Sequence, residues 1–213
     1  DATKTEVSNI FTDKDIEKIL TGLNSDTDYS KTVSITELQN NDYVLSFNRY
    51  ITPEIKFKHS KKLGELVLSI KRGLSDIPKH KTSSATNVQC LSLSNIQNGI
   101  IDDELPYALF DVEKAQKANL FLKENDFIVS KSGQPYKVAV ARPHRGQLII
   151  PSGNMYVIEL DTKQVSPYYV KAFLESQQGI ALLNAHSNHA TIIYISREEL
   201  QKIEIPIPSL AVQ

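Results

Sequence analysis

The sequence predicts an α+β fold: a mixed, largely antiparallel β-sheet globule with flanking helices, preceded by a small helical N-terminal segment. Three observations lead there. Stretches with strand texture follow one another through the middle of the chain, at 88–96, 126–141 and 148–160. Stretches with helical periodicity lie outside them, near 12–24 and from 166 onward. Runs of strands followed by helices mark the α+β class.

The elements follow in order. Thr12 caps a helix whose Ile16, Ile19, Leu20 and Leu23 fall at i, i+3, i+4 and i+7, one apolar stripe. Gly22 and Asn24 favour its end. Ser34-Ile-Thr-Glu37 is a capping-box pattern for a second, short helix. In NDYVLSFNRYI (41–51) Tyr43, Leu45 and Phe47 alternate with other residues, which predicts an extended segment closed by Pro53. LGELVLSIKRG (63–73) reads as a helical turn running into a strand that stops at Gly73. The polar, basic stretch from Leu74 to Asn87 reads as a surface loop. VQCLSLSNI (88–96) reads as a strand, and Asn98-Gly99 as a tight turn. Residues 102–119 are mixed and give no clear assignment.

DFIVSKSG (126–133) is a strand entering a glycine turn, and YKVAVA (136–141) its partner, with Val138 and Val140 on one face. LIIPSG and NMYVIEL add two strands. Ser166 is placed to cap a helix with Pro167 at its first position. Val170, Phe173 and Leu174 form its apolar stripe, and Gly179 is expected to break it. ATIIYIS (190–196) is a further strand, Ser196-Arg-Glu-Glu199 a further capping box, and Leu200 and Ile203 anchor a short helix. IPIPSL (205–210) has to be extended, because two prolines do not fit a helix interior. There is no internal repeat and no low-complexity tract.

At 213 residues the chain is long enough to bury a real core. Its 40% hydrophobic and 23% charged residues are ordinary for a globular protein. A lone cysteine, Cys90, excludes an internal disulfide and suits a reducing compartment. No run of about 18 apolar residues is present, so no membrane partner is expected. The first residues do not resemble a signal peptide, and a start at Asp1 suggests a fragment or a processed chain. A cytoplasmic location follows as an expectation.

The net charge of −1 hides strong segregation. Residues 1–55 carry −5, 56–81 carry +6, 82–126 carry −4, 127–145 carry +4 and 146–213 carry −2. Two basic blocks in an otherwise acidic chain can create a local positive face despite overall neutrality. The blander alternative is a solvated surface with chance clustering.

Residues from about 55 onward resemble the target-recognition domain of the specificity subunits of type I restriction–modification systems. The resemblance lies in LSLSNIQNGII (91–101), LKENDFIVSKSG (122–133), IPSGNMYVIEL (150–160) and the stretch from Ser166 to Gln213 with its Ile-Pro-x-Pro exit. The first part is similar to something else. FTDKDIEKILTGLN (11–24) with YSKTVSITELQNNDYVLSFNRYI (29–51) resembles the C-terminal tail of the adenine DNA methyltransferase subunits of the same systems. The resemblance implies a methyltransferase-tail-like segment over 1–54 and a DNA target-recognition domain over 55–213. It implies partners as well: double-stranded DNA, a methyltransferase module or subunit, and a restriction subunit. The chain carries no Asn/Asp-Pro-Pro-Tyr motif and no glycine-rich cofactor loop. It is therefore expected to be a non-catalytic recognition module without a cofactor of its own, S-adenosylmethionine belonging to the associated methyltransferase module. A full specificity subunit has two recognition domains spaced by long helices, and this chain has one.

The basic blocks supply the candidate DNA contacts: Arg72, Lys79 and Lys81, with His80 beside them, in the first, and Lys131, Ser132, Gln134, Lys137, Arg142, His144 and Arg145 in the second. Lys and Arg neutralise phosphates, and Arg, Asn and Gln can also bridge two acceptors or a donor–acceptor pair on a base edge. Arg142-Pro-His-Arg145-Gly-Gln147 places such chemistry on a loop stiffened by Pro143. Gly133 would let backbone amides approach a phosphate. The two blocks are expected to converge into one concave surface. Val138, Val140, Tyr156, Phe173 and Ile192 are expected in the core, and Tyr168 and Tyr169 in helix packing, with a position facing DNA as the alternative. The rival readings are a protein-interaction scaffold without DNA contact and a metal-dependent nuclease built on Asp161-Thr-Lys163. His186 and His189 have the spacing of two zinc ligands, but no third ligand lies nearby in sequence.

Overall fold

The computed structural model describes residues 12–28, 30–45, 47–51, 57–75, 85–189 and 192–213. The chain divides into two compact units, Asp1–Pro53 and Glu54–Gln213. The first holds three short helices: α1 (Asp13–Asn24), α2 (Ile35–Asn40) and α3 (Phe47–Ile51). Helix α1 starts with a complete capping box. The Asp15 N–H donates to Thr12 Oγ1 at 3.3 Å, and the Thr12 N–H donates to Asp15 Oδ2 at 2.9 Å. Ser34 caps α2 by accepting from the Glu37 N–H at 3.1 Å. The apolar stripe of α1 is present but uncovered: Ile16, Ile19, Leu20 and Leu23 are all about half exposed or more.

The extended segment expected over 41–51 does not form. Asp42 and Tyr43 take positive φ, 56° and 55°, and the Tyr43 N–H donates to Leu38 O at 2.8 Å. The chain therefore turns where the alternation begins, then enters α3. A strand so short needs a partner to persist, and the local hydrogen bonds win.

The second unit runs β1 (Ser60–Lys62), α4 (Leu63–Leu66), β2 (Val67–Arg72), β3 (Ala85–Leu91), a 3₁₀ turn (Leu93–Asn95), β4 (Ile96–Gln97), β5 (Ile100–Ile101), β6 (Tyr107–Asp111), α5 (Val112–Lys117), β7 (Phe127–Ser130), β8 (Val138–Val140), β9 (Ile149–Pro151), β10 (Met155–Leu160), α6 (Pro167–Glu175), α7 (Gln177–Ala185), β11 (Asn188–His189), β12 (Ile193–Tyr194), α8 (Arg197–Lys202) and β13 (Glu204–Pro206). This is an α+β fold. Its main sheet is antiparallel, in the order β2-β10-β7-β8. A second sheet, β6-β3-β9, is mixed: β3 pairs antiparallel with β6 and parallel with β9. Strand β13 closes the unit by pairing with β1, from Ser60 opposite Pro206 to Lys62 opposite Glu204, so the Ile-Pro-Ile-Pro segment is extended.

Strand β7 is buried at all four positions, because both faces of the main sheet are covered. Phe127 and Val129 join Val138, Tyr156 and Ile158 in a core with Leu63, Leu66, Val170, Leu174, Leu183 and Leu200 from the helices. Ile128 points the other way, with Ala139, Met155 and Val157, into a core completed by Leu91, Ile96, Leu105 and Ile149. Val88, Cys90, Phe110, Ala115 and Ile150 form a third cluster behind the mixed sheet.

Some local expectations change, and Ile192, expected in the core, is 68% exposed. The strand from 88 ends at Leu91, because Ser92 is tied to Asn95 Oδ1 through its N–H (3.2 Å) and hydroxyl (2.6 Å), and a 3₁₀ turn follows. Residues 102–119, unassigned from sequence, hold β6 and α5. The helical break falls at Ser176, not Gly179. Ser176 ends α6 and caps α7, accepting from the Gly179 N–H at 3.2 Å. Gly179 lies within α7 because a Cβ there would sit 2.1 Å from Phe173 O and 2.5 Å from Leu174 Cα. Among the described residues no helix is long and apolar enough to cross a membrane.

Candidate nucleic-acid interface

The β7–β8 hairpin positions the acid-free stretch from Ile128 to Gly146. Its register runs from Phe127 opposite Val140 to Val129 opposite Val138. Lys131 and Lys137 therefore lie at one end of the hairpin, and Arg142 leaves at the other, just past Ala141, whose N–H donates to Asp126 O at 2.9 Å. At the 3.4 Å rise of an antiparallel strand, the pairs Ser130–Lys137 and Asp126–Ala141 stand roughly 14 Å apart. Among the described residues the candidate contacts thus form two groups along the hairpin.

The first group gathers around the β9–β10 turn. Tyr156 pairs with Arg72 on β2 and with Val129 on β7, so the end of β2 and the end of β7 flank the same residues. The Arg72 Nε–H donates to Gly153 O at 2.6 Å, and the Lys131 N–H donates to Asn154 O at 2.7 Å. Gly73 fits against Ser152, whose carbonyl oxygen a Cβ would meet at 2.0 Å. Arg72 and Lys131 are brought together, with Ser132 next to Lys131 and bridged to Tyr194 on β12. Gly133, at φ +96°, leaves open space around its Cα. Lys79 and Lys81 lie outside the described residues, as does His80.

Two candidates of the second block are engaged within the protein. The Lys137 ammonium donates to Leu93 O at 2.7 Å and Ile96 O at 2.8 Å, tying β8 to the 3₁₀ turn. The Gln134 amide donates to Asn184 Oδ1 on α7 at 3.2 Å.

The second group occupies the loop from Arg142 to Gln147. Gln147 anchors it inward: its Oε1 accepts from the His144 N–H at 2.8 Å, and its Nε2 donates to Gln89 Oε1 on β3 at 2.6 Å. That leaves His144 and Arg145 exposed on a loop closed by Gly146 at φ +82°. Arg142 lies over the ring of Tyr168 on α6, 4.8 Å from its centroid, and its Nε–H donates to Tyr168 Oη at 2.5 Å. Tyr168, assigned to packing from sequence, is 38% exposed and supports this arginine instead. A signal for this was available. Tyr168, Lys171 and Glu175 fall at i, i+3 and i+7, on the face of α6 opposite Val170, Phe173 and Leu174.

Arg142 and Tyr168 line a cleft of about 450 Å³. Its other wall is the β4–β5 hairpin and the residues after it, Gly99 to Asp103. The Asn98-Gly99 turn takes φ values of 50° and 71°, as a two-residue hairpin turn requires. Gly99 rests on the Lys171–Glu175 ion pair (2.7 Å), where a Cβ would come within 2.1 Å of Glu175 Oε1. Arg72, Lys131, Arg142 and Arg145 form no ion pair with any described carboxylate.

The residues behind the rival readings have structural duties. Asp161 accepts from the Lys163 N–H (3.1 Å) and from Gln164 Nε2 (2.8 Å), which holds its carboxyl below its usual range and closes a turn. His186 Nδ1 lies 2.8 Å from Glu199 Oε2, and the side chain of His189 is outside the description. Among the described residues no group of three His, Cys, Asp or Glu could hold a metal ion. Below the cleft, burial pushes the Asp126 carboxyl up and the Lys71 ammonium down.

Residues 1–59 match the family model described as N-6 DNA Methylase. No curated protein matches the chain. Among solved structures, the chain is similar to a type I restriction–modification S subunit from M. genitalium (TM-score 0.42, 16% identity, 73% of this chain and 35% of that one). It is also similar to an HsdS subunit from Thermoanaerobacter tengcongensis (TM-score 0.46, 11% identity, 83% and 41%). A third structure, reported for complex assembly and conformational transition of the type I R-M system, gives a TM-score of 0.47 at 15% identity over 73% and 40%. The chain thus spans between a third and two fifths of the length of these proteins.

Proposed function

We propose that the second unit is a sequence-reading DNA-binding domain and that it directs an adenine DNA methyltransferase module to its target. The observation that carries this is the state of the cations. Arg72 and Lys131 at one end of the main sheet, and Arg142 and Arg145 on the loop past its other end, have no carboxylate partner among the described residues, in a chain of net charge −1. Unpaired arginine and lysine heads held on fixed backbone are what phosphate and base-edge contacts need. Lys137 and Gln134, engaged internally, serve to shape the surface.

The first unit belongs, on this reading, with the methyltransferase module, as the N-6 DNA Methylase match over 1–59 supports. The exposed stripe of α1 is the face it would bury there. The chain performs no chemistry itself. It holds the duplex so that the methyltransferase can act on an adenine turned out of the stack, with S-adenosylmethionine bound in that module.

Affinity selection from a pool of randomised duplexes, using the 213-residue chain, tests the proposal. Enrichment of one short motif over several rounds is the expected outcome. A pool that stays random, or that is not retained at low salt, would overturn it.

A further inference from the structure

We infer that Arg142, positioned by Tyr168, reads a guanine, so that the cleft beside it selects a G·C pair. The inference rests on the DNA-reading function proposed above and deepens it.

The argument begins with what Arg142 has left to offer. Its Nε–H is committed to Tyr168 Oη, and its Cζ lies over the tyrosine ring, 4.8 Å from the centroid. Both contacts fix the plane of the fork. The two terminal nitrogens make no hydrogen bond or ion pair with the described residues, and Arg142 lines a cleft wide enough to admit a base edge. A guanidinium with its plane fixed and its terminal donors free matches the paired O6 and N7 acceptors of guanine in the major groove. Fixing the plane in advance lowers the entropy lost on contact.

A phosphate would satisfy the same fork, and the opposite wall decides between them. Asp102 and Asp103 line the same cleft as Arg142, on its β4–β5 side, and neither carboxylate has an ion-pair partner among the described residues. Two carboxylates repel a phosphate. They suit a G·C pair, because the cytosine amino group beside the guanine acceptors is a donor that a carboxylate can accept. The remaining cation of the cleft, Lys171, is already neutralised by Glu175 at 2.7 Å. The site therefore has mixed polarity in the sense that a G·C edge requires. The group around Arg72 and Lys131 forms no ion pair with a described carboxylate and is left with the phosphates.

The experiment uses the 213-residue chain and the duplex it selects from a random pool, with variants Arg142→Met, Tyr168→Phe and Tyr168→Leu. Arg142→Met should weaken binding to the selected duplex about 10- to 100-fold and abolish preference at one G·C pair. The dependence of log K on log salt should keep its slope, because no phosphate contact is lost. Tyr168→Leu, which removes both ring and hydroxyl, should relax preference at the same pair and no other. Tyr168→Phe, which keeps the ring but frees the Nε–H, should relax preference at that pair by an amount between wild type and Tyr168→Leu, and an unchanged preference in Tyr168→Leu would overturn the positioning role. A uniform loss on all duplexes with a slope lowered by about one would make Arg142 a phosphate contact, overturning this inference while leaving the DNA-reading function standing. A wild-type chain without sequence preference would remove the function and this inference together.

Discussion

Replacing Lys137 by Met separates scaffold from contact surface within one basic stretch. The Lys137 ammonium donates to Leu93 O (2.7 Å) and Ile96 O (2.8 Å), and its stem is half-buried. Methionine keeps the stem and removes both donors. Hydrogen bonds from a charged group contribute roughly 1.5–3 kcal/mol each. Two would give about 3–6 kcal/mol, but the bonds are only part-buried, so water can replace part of the loss. We expect about 2 kcal/mol, or a fall in Tm of about 4–8 °C for a unit of this size. Urea and thermal unfolding followed by circular dichroism measure it. The cleft should also loosen, because Leu93 and Ile96 carry the β4–β5 wall. Unchanged stability together with a lower salt slope in duplex binding would refute the reasoning, since Lys137 would then be free to meet a phosphate.

Other consequences follow from the same packing. Gly179→Ala places a Cβ against the backbone of Phe173 and Leu174, so overpacking should cost on the order of 3 kcal/mol or prevent folding, as a urea midpoint would show. Asp126 is 5% exposed, and burial raises its pKa above the usual 3.8. The folded state then holds a proton that the unfolded state releases, so the stability it contributes is complete below 3.8 and lost as pH rises through the raised value. Asp126→Asn should therefore gain on wild type as pH increases from 4 to 7, and a difference that does not vary with pH would contradict this. Tyr136→Phe removes the hydroxyl that lies 2.7 Å from Ser187 Oγ, leaving Ser187 its bond to Leu183 O at 2.6 Å. A loss of about 1 kcal/mol or less in unfolding free energy is expected.

What the sequence made legible was local. The caps at Thr12, Ser34 and Ser196, the Asn98-Gly99 hairpin, the turn at Gly133 and the β7–β8 pairing all depend on neighbours a few residues away, and the structure has them, although Ser166 makes no side-chain cap bond. Long-range pairing was not legible. Strand β6 is held by β3, and the parallel ladder of β3 with β9 joins segments about 60 residues apart, which no periodicity encodes. The segment 41–51 misled because alternation describes a strand only where a partner exists. At the candidate site the residue types were visible but their duties were not. Lys131 and Lys137 look alike in sequence, yet only Lys137 finds carbonyls to bind. Arg142 stood out as a cation, whereas its partner Tyr168 lay 26 residues away and was concealed by its neighbour Tyr169, whose hydroxyl donates to Pro206 O. Sequence proximity also ignores strand direction: an antiparallel hairpin sends Lys131 and Arg142 to opposite ends.

The salt dependence of duplex binding tests the central claim most directly, comparing the wild-type chain with the triple variant Arg72→Gln, Lys131→Gln, Arg145→Gln. Each phosphate contact contributes about 0.9 to the slope of log K against log salt, so the triple variant should lose roughly 2.7. An identical slope in the two proteins would show that these cations do not meet DNA.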